Sequence, residues 1–267
     1  MSHPARRARR TTKNAVGWAL LSVALVVLAG AVYLAITLAG RPQPDPKSFC
    51  LPNGPEHLMV VLIDRTDAIN PVQRQSLQNH LDGLVAALPR YGGVEVFAVR
   101  PFGDLLQPIA PLVCNPGRGQ DANQWTENPR LIERHWAQGF VAPTKAAIEE
   151  ALHAEDAQVS PLFEAIQSIA VTAFQAARTA RKKQLILVSD MLHNTAEFSQ
   201  YGSPVAFDEF RRMPYYRKVR ADLTGIDVQI LYLRRDTPTQ GRRHIEFWQD
   251  YFNDMGAQVT RVTSIEG

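Results

Sequence analysis

Residues 58–70 read Leu-Met-Val-Val-Leu-Ile-Asp-Arg-Thr-Asp-Ala-Ile-Asn. The apolar run from Leu58 to Ile63 stops abruptly on Asp64, Arg65, Thr66 and Asp67. A short apolar run bounded by polar residues reads as a strand buried on both faces, as in the middle of a parallel sheet. In such sheets ligands collect in the crevice beyond the carboxyl ends of the strands, and Asp64 falls there. Asn70-Pro71 then opens a helix, with Asn as N-cap and Pro at the first helical position. Strand, oxygen-rich loop and helix in succession make this loop the first place to look for chemistry, with a divalent metal as the working guest.

Working outward, apolar runs and helix-period segments alternate. Val72, Leu77, Leu81, Leu84, Val85 and Leu88 form a stripe at helical spacing, closed by Pro89 and Gly92-Gly93. Residues 94–99 read as a strand with Arg100 at its end. Residues 105–113 are apolar but carry Pro108 and Pro111, which allows only an edge strand or an irregular segment. Asn128-Pro129 repeats the helix-start signal, residues 145–153 suggest a further helix, and Ser160-Pro161 opens one whose core face is Leu162, Ile166, Ile169, Ala170, Ala173 and Phe174. Residues 184–189 form a strand ending on Asp190. A helix follows the polar loop through Gly202 and ends near Leu223, with an interruption at Pro214. Residues 227–233, 242–255 and 258–262 complete the pattern as strand, helix and short strand. The alternation predicts an α/β fold with a doubly wound, mostly parallel, Rossmann-like sheet and helices on both faces.

The formal charge of +3 is unevenly spread. Arg6, Arg7, Arg9, Arg10 and Lys13 precede the apolar stretch, and without them 24 basic residues face 26 acidic ones. The basic character is therefore terminal and gives no support for a nucleic-acid partner. Residues 15–40 carry no charge and are almost entirely apolar. That length, roughly 25 residues, spans a bilayer with some tilt, and Trp18 and Tyr33 lie towards its two ends. A cleavable leader has a shorter apolar region of about 7–15 residues, which favours a retained anchor over cleavage after Ala39. The expected organisation is a basic cytoplasmic tail (1–14), a single-pass signal anchor (15–40), a Pro-rich spacer (41–55) and an α/β domain (56–267). By the positive-inside rule the N-terminus stays in the cytoplasm and the domain lies outside it, in the periplasm if the membrane is a bacterial inner membrane.

Cys50 and Cys114 are the two cysteines, and both follow the apolar stretch. In an oxidising compartment they are expected to form a disulfide, which on the chain-entropy model is worth about 4 kcal/mol. Two buried free thiols are the alternative.

Asp64 and Asp190 each end an apolar strand, Ser160 opens a helix, and Thr66 lies two residues past Asp64. Two carboxylates and two hydroxyls are the all-oxygen set that hard cations prefer. Here the chain resembles von Willebrand factor A (vWA) domains, whose metal-ion-dependent adhesion site reads Asp-x-Ser-x-Ser, then a distant Thr, then a distant Asp. The corresponding stretches are Asp64-Arg65-Thr66-Asp67-Ala68, Ser160-Pro161-Leu162 and Ser189-Asp190, and the resemblance extends over about residues 56–262. It implies metal ligation by Asp64, Thr66, Ser160 and Asp190 of Mg²⁺, or of Mn²⁺ or Ca²⁺, with an open position completed by a partner's acidic side chain. Ala68 stands where the family has a second hydroxyl, Asp67 is an auxiliary candidate, and Met191 replaces the usual Gly. The residue-by-residue alternatives are ordinary ones: Ser160 as an N-cap, Asp190 as a loop cap, Asp67 as a turn former.

Arg65, Arg100, Arg234 and Arg235 all follow strand ends and are expected to rim the same face, which would favour an anionic ligand. The function expected is a membrane-anchored binding module for a protein partner rather than an enzyme. A scaffold with a degenerate metal site and a metal-dependent hydrolase or phosphatase are the alternatives. No His or Cys stands at another strand end with an evident catalytic role, and His193 reads as a surface loop residue.

Overall fold

The computed structural model describes residues 5–39, 42–66, 68–100, 105–123, 125–153, 157, 159–202, 205–235 and 237–267. The chain divides into two compact units, Met1–Gln43 and Pro44–Gly267. The first is built on one helix, α1 (Ala5–Ala39). Within it Gly17–Ile36 is long and apolar enough to cross a membrane, and its large side chains, Trp18, Leu20, Val26 and Tyr33 among them, are exposed.

The second unit is a six-stranded sheet in the order β3-β2-β1-β4-β5-β6. Its strands are β1 (His57–Ile63), β2 (Gly93–Ala98), β3 (Val113–Cys114), β4 (Lys182–Ser189), β5 (Ile226–Leu233) and β6 (Gln258–Ile265). All neighbouring pairs are parallel except β2 with β3, which is antiparallel. Successive side chains of a strand point to opposite faces, and β1 feeds two cores in this way. Leu58, Val60 and Leu62 pack with α5 (Leu162–Ile169), α6 (Phe207–Phe210), α7 (Pro214–Val219) and α8 (Arg242–Asp254). Met59, Val61 and Ile63 pack with α2 (Pro71–Ala86) and α4 (Ala142–Ala151). Each of these side chains is almost fully buried, at about 1.5–3 kcal/mol apiece relative to exposure. The remaining helix, α3 (Pro129–Arg134), runs through a wide π turn at His135–Val141 into α4.

Asn70 and Asn128 cap α2 and α3 as expected, each accepting from backbone N–H groups of the first turn. The helix before β5 is split ahead of Pro214 into α6 and α7. Two expectations need correction. Val72 is 65% exposed, while Gln73 is buried. The buried face repeats every four residues through Gln73, Leu77, Leu81 and Val85, and Gln73 takes its place because Nε2 donates to the carbonyls of Arg234 (3.0 Å) and Ile265 (3.3 Å). β6 runs on to Ile265, since Leu233 of β5 pairs with it. Residues 105–112 are irregular, one of the two forms expected, with the Ile109 N–H donating to the Val96 carbonyl (2.8 Å) before β3 pairs with β2 from Val113.

The second unit begins at Pro44, so most of the expected spacer belongs to the domain. Cys50 is disulfide-bonded to Cys114 on β3, and the Cys114 N–H donates to the Ser48 carbonyl (2.7 Å). Phe49 stacks on His135, with 5.1 Å between ring centroids. It also lies over Gly139, where an added Cβ would come within 2.5 Å of the ring, so a larger residue in the π turn would displace Phe49. The bond closes a loop with a sequence separation of 64, worth about 4 kcal/mol on the chain-entropy model. Reduction, or Cys114→Ser, should lower the unfolding free energy by roughly that amount, measured by denaturant titration with and without a thiol reductant.

Candidate functional site at the carboxyl edge

β1 and β4 are neighbours, and the chain leaves them towards opposite ends of the sheet, β1 to β2 and β4 to β5. This reversal is the topological switch point at which open α/β sheets bind their ligands. Ile63 is in register with Val188, and the Asp64 N–H donates to the Val188 carbonyl (2.8 Å). The next residue on each strand, Asp64 and Ser189, therefore stand side by side.

Asp64 is 5% exposed. Its Oδ1 accepts from the Thr66 N–H (3.1 Å) and the Thr66 hydroxyl (2.7 Å). Its Oδ2 accepts from the hydroxyls of Ser160 (3.1 Å) and Ser189 (2.9 Å). Four donors match the lone-pair sites of an ionised carboxylate. Burial nevertheless raises the Asp64 pKa, with the four hydrogen bonds acting against it. Ser160 is positioned by a two-way backbone bridge with Asn194, 2.9 Å in each direction. It does not cap α5: Pro161 occupies the N-cap position with no side-chain hydrogen bond.

Asp190, 3% exposed, accepts from the Leu192 N–H at Oδ1 (2.9 Å). Its Oδ2 lies 3.5 Å from Arg235 Nε. The same guanidinium donates from Nη1 to the Ala68 carbonyl in the β1 loop (2.7 Å). Gln240 fixes the register of these loops. Its Nε2 donates to the carbonyls of Asp190 (2.9 Å) and Leu233 (2.8 Å), and its Oε1 accepts from the Arg235 N–H (2.5 Å). Met191 adopts φ +64°, a left-handed conformation costly for a residue with a Cβ. Its carbonyl is held by Trp248 Nε1 (2.9 Å) and His244 Nε2 (3.1 Å). The Tyr232 hydroxyl meets His244 Nδ1 at 2.7 Å and orients that ring.

The hydroxyls of Thr66 and Ser160 thus converge on Asp64, and Asp190 follows Ser189 on the adjoining strand. Asp67 lies outside the described residues. Of the arginines, Arg100 is exposed, while Arg65, Arg234 and Arg235 are half-buried. Arg234 folds back on its own loop and donates to the Gln240 carbonyl (3.2 Å). Arg235 turns inward to Asp190. Sequence reasoning missed Ser189 as a partner of Asp64, though the register of two strands ending together was a usable signal. It also missed Gln240, which no local pattern marks. His193 is not a surface residue: it is fully buried, its ring tilted against Phe163 with 4.6 Å between centroids.

Among the described residues, this arrangement does not fit a resident divalent cation held by the two carboxylates. The lone-pair positions of Asp64 are taken by protein donors, and the carboxylate of Asp190 already faces a guanidinium that also holds the β1 loop. Among the described residues no group of three or more His, Cys, Asp or Glu side chains comes together as a metal site.

The two buried histidines behind this edge set a pH dependence. His193 Nε2 faces the hydroxyls of Tyr215 (3.0 Å) and Thr195 (3.2 Å). Tyr215 donates its own proton to Glu164 (2.5 Å) and Thr195 donates to the Phe198 carbonyl (3.2 Å), so Nε2 carries the hydrogen. Burial pushes His193 down to about 3 and His244 to about 4. Both rings stay neutral in the folded state while the unfolded chain takes up protons below its ordinary value of 6.5. Their contribution is therefore complete above 6.5 and is lost as pH falls towards 4 and then 3. The melting temperature should drop as the pH is lowered through this window, with a shallower slope in His193→Gln and His244→Gln; parallel slopes in all three chains would contradict the assignment.

No family model matches the chain, and no curated protein matches it. Among solved structures, the chain is similar to the crystal structure of the SpRpn10 VWA domain, with a TM-score of 0.39, 10% identity, and coverage of 78% of this chain and 87% of that one. It is also similar to the crystal structure of an aerotolerance-related membrane protein from Bacteroides fragilis NCTC 9343 carrying multiple mutations to serines. There the TM-score is 0.36 and the identity 10%, covering 79% of this chain and 92% of that one. Neither likeness bears on the chemistry of the site, and the α/β fold class rests on the sheet itself.

Proposed function

We propose that the chain is a membrane-anchored, vWA-like binding module that holds a protein partner outside the cytoplasm, at the carboxyl edge of its sheet and through an acidic side chain of that partner. The observation that carries this is how the polar groups at the switch point are used. Asp64 accepts four protein donors and Asp190 is ion-paired to Arg235, so the edge is a fixed polar platform with Arg65, Arg100 and Arg234 around it. A carboxylate saturated by hydrogen bonds is poorly suited to act as a nucleophile or base, which argues against the hydrolase alternative. The Cys50–Cys114 bond suits an oxidising compartment. The apolar stretch of α1 suits a single bilayer crossing, and the arginines ahead of it favour a cytoplasmic N-terminus.

A photo-crosslinking residue placed at exposed Ala68, beside the site, should yield a discrete protein adduct in native membranes. The same residue at exposed Asp222, ahead of β5 at the opposite edge, should not. Adducts from Asp222 alone would overturn the choice of face. Arg100→Glu should weaken the Ala68 adduct and reduce its sensitivity to salt, since exposed charge contacts are screened over about 10 Å at 0.1 M ionic strength.

A further inference from the structure

We propose that Arg235 is the cation of this site, and that the carboxyl edge works without a divalent metal because this side chain supplies the fixed positive charge. The inference concerns how the edge is built and stands independently of which partner the module holds.

Three features place Arg235 in that role. Its guanidinium links three elements: the side chain leaves the end of β5, Nε lies 3.5 Å from Asp190 at the end of β4, and Nη1 donates to Ala68 in the loop after β1 (2.7 Å). A metal ion at a switch point makes the same ties, gathering oxygens from separate loops. Its backbone is also pinned. Gln240 Oε1 accepts from the Arg235 N–H, the preceding Arg234 N–H donates to the Ile265 carbonyl (3.1 Å), and Gln73 donates to the Arg234 carbonyl (3.0 Å). The guanidinium is therefore delivered by a braced loop end. Finally, Asp190 is 3% exposed at its side chain and Arg235 only 23%. A buried carboxylate needs a counter-charge, and a divalent ion brought to Asp190 would meet the guanidinium at close range as a like charge. Arg is suited to the task because its planar fork can face a carboxylate and a carbonyl together and stays protonated throughout the physiological range.

The departures from the family pattern fit one device. Ala68 has no hydroxyl to offer an ion, but its carbonyl is what Arg235 grips. Gln240 both holds the Asp190 carbonyl and accepts from Arg235, so the same side chain registers acid and base against each other. A partner carboxylate arriving at this edge would meet a guanidinium where a metal-dependent site presents an ion; that last consequence rests on the proposed partner-binding role.

The test uses the full chain in detergent micelles and reads Mn²⁺ binding by electron paramagnetic resonance, with melting curves in EDTA and in excess Mn²⁺. The wild-type chain should bind no Mn²⁺ at this edge and melt alike in both. Arg235→Gln removes the charge and should gain Mn²⁺ binding and a metal-dependent rise in melting temperature, both abolished by adding Asp190→Asn. Arg235→Lys keeps the charge and should remain insensitive to metal. Wild-type Mn²⁺ binding that disappears in Asp190→Asn overturns the proposal, as does a folded Arg235→Gln that stays metal-blind. If Arg235→Gln does not fold, the wild-type titration alone decides by the same criterion. None of these readouts involves a partner, so failure here is distinguishable from failure of the partner-binding role.

Discussion

Everything at the carboxyl edge depends on burying the Asp64 carboxylate at the end of the central strand. An ionised acid taken from water into a protein interior is costly unless its lone pairs are satisfied. The chain meets that requirement from three directions. Thr66 comes from the loop that Asp64 itself begins, Ser160 from the entry to α5, and Ser189 from the neighbouring strand. Each donor fixes the position of a different segment, so a single carboxylate registers the β1 loop, the α5 entry and the end of β4 against one another. Between the polar strand ends, Leu58 to Ile63 of β1 and Leu185 to Val188 of β4 are wholly apolar, so side-chain hydrogen bonding between these two strands is confined to their ends.

Much of the fold was legible because it follows from short-range rules. The apolar run from Leu58 to Ile63 feeds two cores by simple alternation, and the two Asn-Pro helix starts needed only cap chemistry. The misreadings occurred where tertiary partners override local pattern. Val72 looked apolar enough for a core but lies out of phase with Leu77, Leu81 and Val85, and Gln73 is in phase because two distant carbonyls need its amide. The candidate site was legible as a set of oxygens at strand ends, and the structure brings the hydroxyls of Thr66 and Ser160 onto Asp64. What the pattern could not reveal was the direction of Arg235. Its neighbour Arg234 has the same charge and the same sequence context, and only the braced loop after β5 turns one inward and folds the other back on Gln240.

Met191 shows how this edge differs from a generic loop. A residue with a Cβ holds a left-handed conformation immediately after Asp190, and Trp248 and His244 grip its carbonyl from α8. That grip links the acidic loop to the aromatic core, where Phe163, Trp248 and Tyr251 pack face and edge. The hydrogen bonds offset the conformational penalty and leave the Asp190 loop little freedom. The same core carries neutral His193 and His244, so rigidity of the edge and its acid sensitivity have a common origin in burial.

A guanidinium in place of a metal ion as the charge that neutralises the acidic edge can be read in crystals. Anomalous diffraction from crystals grown in Mn²⁺ tests it most directly. No anomalous peak is expected between the β1 loop and Asp190, with the Arg235 guanidinium between the Asp190 carboxylate and the Ala68 carbonyl. A peak ligated by the Thr66 and Ser160 hydroxyls, with Arg235 turned out to solvent, would contradict it.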